Sequence, residues 1–191
     1  MSRMKVVGIL GSPRCKSNTE ILLDKLLDVL KSKGCEVEKI RLRDLDIKPC
    51  TSCRSCLRLG RCVVEDDMTR IVAPKILEAH AIVVATPVHF DNVSALTKIF
   101  MDRTWWLRGR LRNKVLGCIV VGRGYGLDTA LMCIHSWALK HRMIVGDRGV
   151  AARGFEYGEV LNDERAMKDL VNHAERLYEL LVLIHRGTER S

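Results

Sequence analysis

Five short apolar runs alternate with stretches of helical period, and this alternation limits the folds open to the chain. Met4–Leu10 is apolar and β-branched and ends at Gly11, as a buried parallel strand does. A helix follows, with Ile21, Leu22, Leu26, Leu27 and Leu30 at helical spacing until Gly34 stops it. Cys35–Leu42 alternates apolar and polar residues and reads as a second strand. Asp66-Asp67-Met68 opens a helix with acidic residues where the helix dipole favours them, and Pro74 is expected to kink it. Ala81–Thr86 is the most apolar run, and a helix over Ser94–Trp105 comes after it. Lys114–Val121 gives a fourth strand and Leu127–His141 a helix; Met143–Ala151 gives a fifth strand and Glu164–His185 a last amphipathic helix. Such alternation predicts a parallel sheet with helices on both faces and right-handed crossovers.

The loops after the first, third and fourth strands carry the chemistry. The first reads Gly-Ser-Pro-Arg-Cys-Lys-Ser-Asn-Thr over residues 11–19. Ser17 and Glu20 have capping-box spacing, so Ser17 and Asn18 could simply cap the helix. Free backbone N–H groups, the side chains of Ser12, Ser17, Asn18 and Thr19, and Arg14 also gather at a helix start, where α/β folds bind phosphate. Neither G-K-[ST] nor G-x-G-x-x-G is present, which disfavours ATP and dinucleotides and leaves a monophosphate. The second loop is Pro87-Val88-His89-Phe90-Asp91-Asn92-Val93. A lone histidine is more often an ordinary surface residue, but beside Phe90 at a strand end His89 suits stacking or hydrogen bonding to a ligand. Gly122-Arg123-Gly124-Tyr125-Gly126 is the third; glycines often only make a tight turn, yet here they would let the backbone approach a flat ring.

Residues 43–65 show no period, and loops that long in a compact domain are usually functional or disordered. Within them lies C-x2-C-x2-C-x5-C: Cys50, Cys53, Cys56 and Cys62, half of the chain's eight cysteines. Disulfides are the least favoured reading, since no secretory signal is evident and the chain can build a core without staples. Zinc also takes four cysteines but usually in two separated C-x2-C knuckles. Three cysteines at successive x2 intervals with a fourth just beyond are nearer the bacterial ferredoxin run that holds a [4Fe–4S] cluster. The cluster is favoured, with zinc as the alternative. Cys35, Cys118 and Cys133 read as core thiols; Cys15 lies in the phosphate loop and takes no role.

A chain of 191 residues is expected to form one domain, residues 1–191, with the cysteine-rich loop over 43–66. No apolar run reaches membrane-spanning length, and thiol-rich, unexported chains belong in the cytoplasm. The net charge of +9 raises nucleic-acid binding. Basic residues are nevertheless spread out, with one concentration at Arg103, Arg108, Arg110, Arg112 and Lys114, and aromatics at 5% offer little for base stacking. No nucleic-acid or membrane partner is expected; a basic surface for solubility or an acidic protein partner is.

Five strands with ligand loops after the first, third and fourth fit a flavodoxin-like order, 2-1-3-4-5, with FMN at the switch between the first and third strands. Gly11-Ser12-Pro13-Arg14 with Ser17-Asn18-Thr19, Thr86 to Phe90, and Ser94 through Asp102-Arg103-Thr104 resemble the NADPH-dependent FMN reductase superfamily. The compact cysteine motif followed by Val63 to Met68 resembles its iron–sulfur flavoprotein branch. The likeness runs from Lys5 to about Ala130. It implies FMN, a [4Fe–4S] cluster on Cys50, Cys53, Cys56 and Cys62, and homodimers or homotetramers with flavin near a subunit interface. Ser12, Arg14, Ser17, Asn18 and Thr19 would hold the FMN phosphate. Pro87, Val88, His89, Phe90, Asp91 and Asn92 would line the isoalloxazine, with Gly122 and Gly124 closing its other side.

The function expected is electron transfer between a one-electron carrier such as ferredoxin and an acceptor, because a flavin handles electrons in pairs or singly and a cluster singly. No catalytic side chain is assigned. The alternative is an NAD(P)H-dependent FMN or quinone reductase with zinc or nothing at the cysteines; a zinc-stabilised nucleic-acid binder is less favoured. Trp105 and Trp106, adjacent on a helix, cannot share one stripe, so one is expected to face a partner or ligand.

Overall fold

The computed structural model describes residues 3–188. Its strands are β1 (Lys5–Leu10), β2 (Glu36–Arg41), β3 (Ala81–His89), β4 (Asn92–Val93), β5 (Val115–Gly122), β6 (Ile144–Val145) and β7 (Val150–Arg153). The α-helices are α1 (Asn18–Ser32), α2 (Ser55–Leu59), α3 (Ala73–Glu78), α4 (Ala95–Arg103), α5 (Leu127–Lys140) and α6 (Glu164–Thr188). Strands pair in the order β2-β1-β3-β5-β6, with β7 also on β5 and β4 on β3. All pairings are parallel except β3 with β4. With β4 set aside and β6–β7 taken as one interrupted strand, this is the expected flavodoxin-like order.

Side-chain alternation along the strands builds the two faces. Val7, Ile9, Ile82, Val84, Leu116 and Val120 pack under α3, α4 and α5. Val6, Leu10, Val83, Ala85, Ile119 and Val121 pack under α1 and α6. Leu22, Leu23, Leu26, Leu27 and Leu30 of α1 are buried there, each contributing about 2 kcal/mol of apolar transfer. Ser17 caps α1 as expected, its Oγ accepting from Glu20 N at 3.1 Å. Glu20 does not return the bond of a capping box; its carboxylate takes Lys39 and Arg41 of β2, at 2.7 and 2.6 Å.

The structure departs from the sequence reading at three places. The expected fifth strand, Met143–Ala151, is two strands with a break at 146–149. Leu116 pairs with Val145 and Ile119 with Val150, and between them Cys118 N donates to His173 Nε2 of α6 at 3.1 Å. That bond puts the ring proton on Nδ1, which faces Asp147 Oδ2 at 2.9 Å. A side chain from the last helix thus satisfies an amide that a continuous strand would pair. Second, Pro74 marks no kink in a regular helix: a π-helical turn over Met68–Val72 leads into α3, with Pro74 in its first turn. Third, the third strand does not stop at Thr86 but runs on to His89 and folds back as a hairpin with β4. Among the described residues no helix is long and apolar enough to cross a membrane.

Candidate functional site

The ends of β1, β3 and β5 meet at one rim of the sheet. Behind the first loop, Gly11 fits only because it lacks a side chain: a Cβ there would lie 1.8 Å from Thr97 Oγ1. Ser94, the N-cap of α4, donates to Gly11 O at 2.6 Å, and Thr97 Oγ1 donates to Thr86 Oγ1 at 3.0 Å. This buried network fixes the first loop against β3 and the start of α4.

The loop itself borders a cavity of about 190 Å³. Ser12, Arg14, Ser17, Asn18, Thr19, Pro87, Val88, His89 and Gly122 all line it. Their side chains are differently occupied. Ser12 Oγ accepts from Arg14 N at 3.3 Å, and Ser17 Oγ is engaged in the cap. The Asn18 amide bridges to another segment, donating to Glu156 O and accepting from Gly158 N, both at 2.8 Å. That segment, after β7, was missed from sequence. Gly154 and Phe155 line the cavity; Arg14 Nη1 donates to Phe155 O at 3.4 Å, and the Arg123 guanidinium stacks 3.6 Å from the Phe155 ring centre. Only the partnering across the fold reveals these residues, since no local motif marks them.

Phe90, Asp91, Asn92 and Gly124 lie outside that cavity. Phe90 and Asp91 form the hairpin turn, both left-handed with φ of 47° and 58°, and Phe90 is fully exposed at 103%. Gly126 (φ 67°) abuts this turn, where a Cβ would lie 2.5 Å from Asp91 Cα. The hairpin turn and the 123–126 loop therefore pack against one another.

The cysteine loop sits to one side. Cys50, Cys53, Cys56 and Cys62 line one cavity of about 760 Å³, whose other wall is Met101, Trp105 and Trp106 after β3 and Trp137 and His141 around α5. The motif has partial order: Cys56 lies in the first turn of α2, and Ser52 and Arg54 are left-handed. Hydrogen bonds from the Ser55 backbone and hydroxyl to Cys53 lower its thiol pKa. Among the described residues no three His, Cys, Asp or Glu side chains stand close enough to hold a metal ion. The four cysteines share a cavity without converging.

Arg103, at the end of α4, is only 2% exposed and reaches this loop. Its guanidinium pairs with Asp66, Nη1 to Oδ2 at 2.5 Å and Nη2 to Oδ1 at 3.0 Å. Burial would raise the Asp66 carboxyl, but Arg103 and the N–H groups of Lys48 and Met68 hold it below the usual range. Of the basic concentration seen in sequence, Arg103 is thus internal, and Lys114 Nζ is bound to the carbonyls of Leu77 and Ala79. Of the adjacent tryptophans, Trp105 is 43% exposed beneath Arg108, while Trp106 packs against the core.

A doubly wound parallel sheet with this strand order defines a flavodoxin-like fold. The sequence profile described as NADPH-dependent FMN reductase matches residues 4–157, and the chain belongs to that family. It is an FMN-containing redox protein, an FMN-dependent oxidoreductase. It is 38% identical over 194 residues to an iron-sulfur flavoprotein of Methanocaldococcus jannaschii, covering 96% of this chain and 100% of that protein. An iron-sulfur flavoprotein of Methanosarcina thermophila is 32% identical over 192 residues, covering 98% and 100%. Among solved structures, RosB with a bound 8-demethyl-8-formylriboflavin-5'-phosphate intermediate superposes with a TM-score of 0.82 at 19% identity, covering 96% of this chain and 81% of that one.

Proposed function

We propose that the chain is an iron–sulfur flavoprotein that passes electrons between a one-electron carrier such as ferredoxin and an acceptor. The observation that carries this reading is the cavity shared by Cys50, Cys53, Cys56 and Cys62 on a flavodoxin-like frame. The residues present fit a [4Fe–4S] group. Four thiols would supply its ligands, and two buried donors flanking the cavity, Arg103 Nε and Trp106 Nε1, have no acceptor among the described residues, which cluster sulfides would provide. The first loop likewise fits FMN. Its cavity is smaller than the ~300–1,000 Å³ that enclose a whole ligand, which suits the phosphate end. Ser12, Arg14, Ser17 and Thr19 would hold that phosphate with the N–H groups opening α1, while Asn18 anchors the 156–158 turn beside it. Pro87–Asn92 on one side and Gly122–Gly124 on the other would flank the ring.

When bound, the flavin takes up electrons in pairs or singly and the cluster exchanges them singly. The protein's part is to hold and separate the two groups: the phosphate cradle is built on β1 and α1, the thiols on the loop after β2. NAD(P)H as a direct donor is the second reading, favoured by the family description.

Protein prepared anaerobically should contain about four irons and four sulfides per chain, with FMN and not FAD. Cys56→Ser should lose the iron, keep FMN, and transfer electrons to ferredoxin far more slowly. One zinc per chain without sulfide would replace this reading by the zinc alternative.

A further inference from the structure

We propose that Arg103 is the positioning residue of the cysteine loop: it clasps both ends of the loop and, by donating to the sulfur of Cys62, makes the bound cluster easier to reduce. The proposal rests on the cluster reading above. Nη1 donates to Lys48 O at 2.6 Å, just before Cys50, and Nη2 to Val64 O at 3.2 Å, just after Cys62. Nη2 also lies 3.7 Å from Cys62 Sγ. One planar group therefore closes residues 49–63 into a ring at its neck, removing much of the freedom a loop of that length would otherwise keep.

Asp66 makes this placement tolerable. Its side chain and that of Arg103 are both 1% exposed, so neither charge has water, and each needs the other. Asp66 Oδ2 also accepts from Lys48 N at 3.0 Å and its Oδ1 from Met68 N at 3.0 Å. The carboxylate thus aims the guanidinium at the loop neck, taking one Nη2 hydrogen and leaving the other to be shared between Val64 O and Cys62 Sγ. A guanidinium is always charged and presents several donors in a fixed fork, which an ammonium cannot do.

The electronic consequence follows from what reduction does. One added electron makes the cluster and its thiolates more negative, and a fixed N–H donor on a cysteine sulfur stabilises the reduced form more than the oxidised one. Cys53 takes neutral donors from Ser55, whereas Cys62 takes a buried, charged one from Arg103.

The test uses anaerobically prepared full-length protein carrying FMN and cluster. Two variants are compared with wild type: Arg103→Lys, which keeps a charge, and Arg103→Met with Asp66→Asn, which removes the pair together so that no buried charge is stranded. FMN content reports the fold independently of the cysteine loop, iron and sulfide report the clasp, and an EPR-monitored redox titration reports the potential. The double variant should keep FMN and release iron to a chelator about tenfold faster. Its cluster equilibrium should shift about tenfold toward the oxidised form, about 59 mV for one electron. Arg103→Lys should fall between. Complete loss of iron from the double variant with FMN retained supports the clasp, and Arg103→Lys then carries the potential measurement. A variant that holds four irons at the wild-type potential and release rate overturns the proposal. Wild type without iron and sulfide overturns the cluster reading instead, and this proposal with it.

Discussion

His141 shows how one residue ties stability to pH. Its Nε2 lies 2.9 Å from Thr104 Oγ1, which donates its own proton to Met101 O and also accepts from Trp137 Nε1. The imidazole is thus a donor at Nε2, and Nδ1 is buried without a partner among the described residues. Burial lowers its pKa from 6.5 to about 4. The unfolded chain therefore binds a proton between these values that the folded chain refuses. The contribution of His141 is complete above pH 6.5, falls as pH drops, and levels below about 4, for a loss of about 3 kcal/mol. Urea midpoints of wild type and His141→Phe should diverge over that window; parallel curves would refute the assignment. Arg14 tests the phosphate end without disturbing the fold, since its side chain is exposed. Arg14→Ala should weaken FMN binding about tenfold or more, by losing a charge-assisted bond, with thermal midpoint unchanged. Ser17→Ala should in addition cost about 1 kcal/mol of helix stability, because Ser17 is a cap. Flavin fluorescence titration of both checks the pair. At this scale the sequence was legible where chemistry is local, as in the cysteine spacing and the hydroxyls of the first loop. Phe155 and Arg103 were not, because their roles depend on Arg14 and Asp66, 141 and 37 positions away.

Among the elements, strands with uniform burial were readable and the interrupted one was not. Ala81–Thr86 is wholly buried, and its apolar run announces it. The break between β6 and β7 depends on His173, a polar residue on an amphipathic helix whose pattern does not reveal that it points inward. His173→Leu should strand the Cys118 amide and uncouple Asp147, costing about 1–3 kcal/mol for the unsatisfied group. A lower denaturant midpoint at unchanged m-value is the expected result, and an unchanged midpoint would show the bond to be dispensable. The hairpin of β3 and β4 escaped notice for a different reason. Its turn carries Phe90-Asp91, where left-handed backbone usually calls for Asn-Gly.

For the whole molecule, the strand order followed from the alternation of strands and helices, because right-handed crossovers leave few arrangements. Association did not follow as simply. The sequence offered two tryptophans for an interface, and only Trp105 remains substantially exposed. If subunits meet beside the cysteine loop, Trp105→Ala should shift sedimentation toward the monomer, whereas wild type sedimenting as a monomer at micromolar concentration ends that expectation. One feature of the frame also limits how such a chain can change. Helix α4 is capped by Ser94, bonded to the first loop through Gly11, and ends at Arg103, bonded to the neck of the cysteine loop. Its nine residues span about 14 Å and act as a ruler between the two sites. Inserting or deleting a single residue there would turn Arg103 by about 100° away from Asp66. This segment therefore has a permitted length.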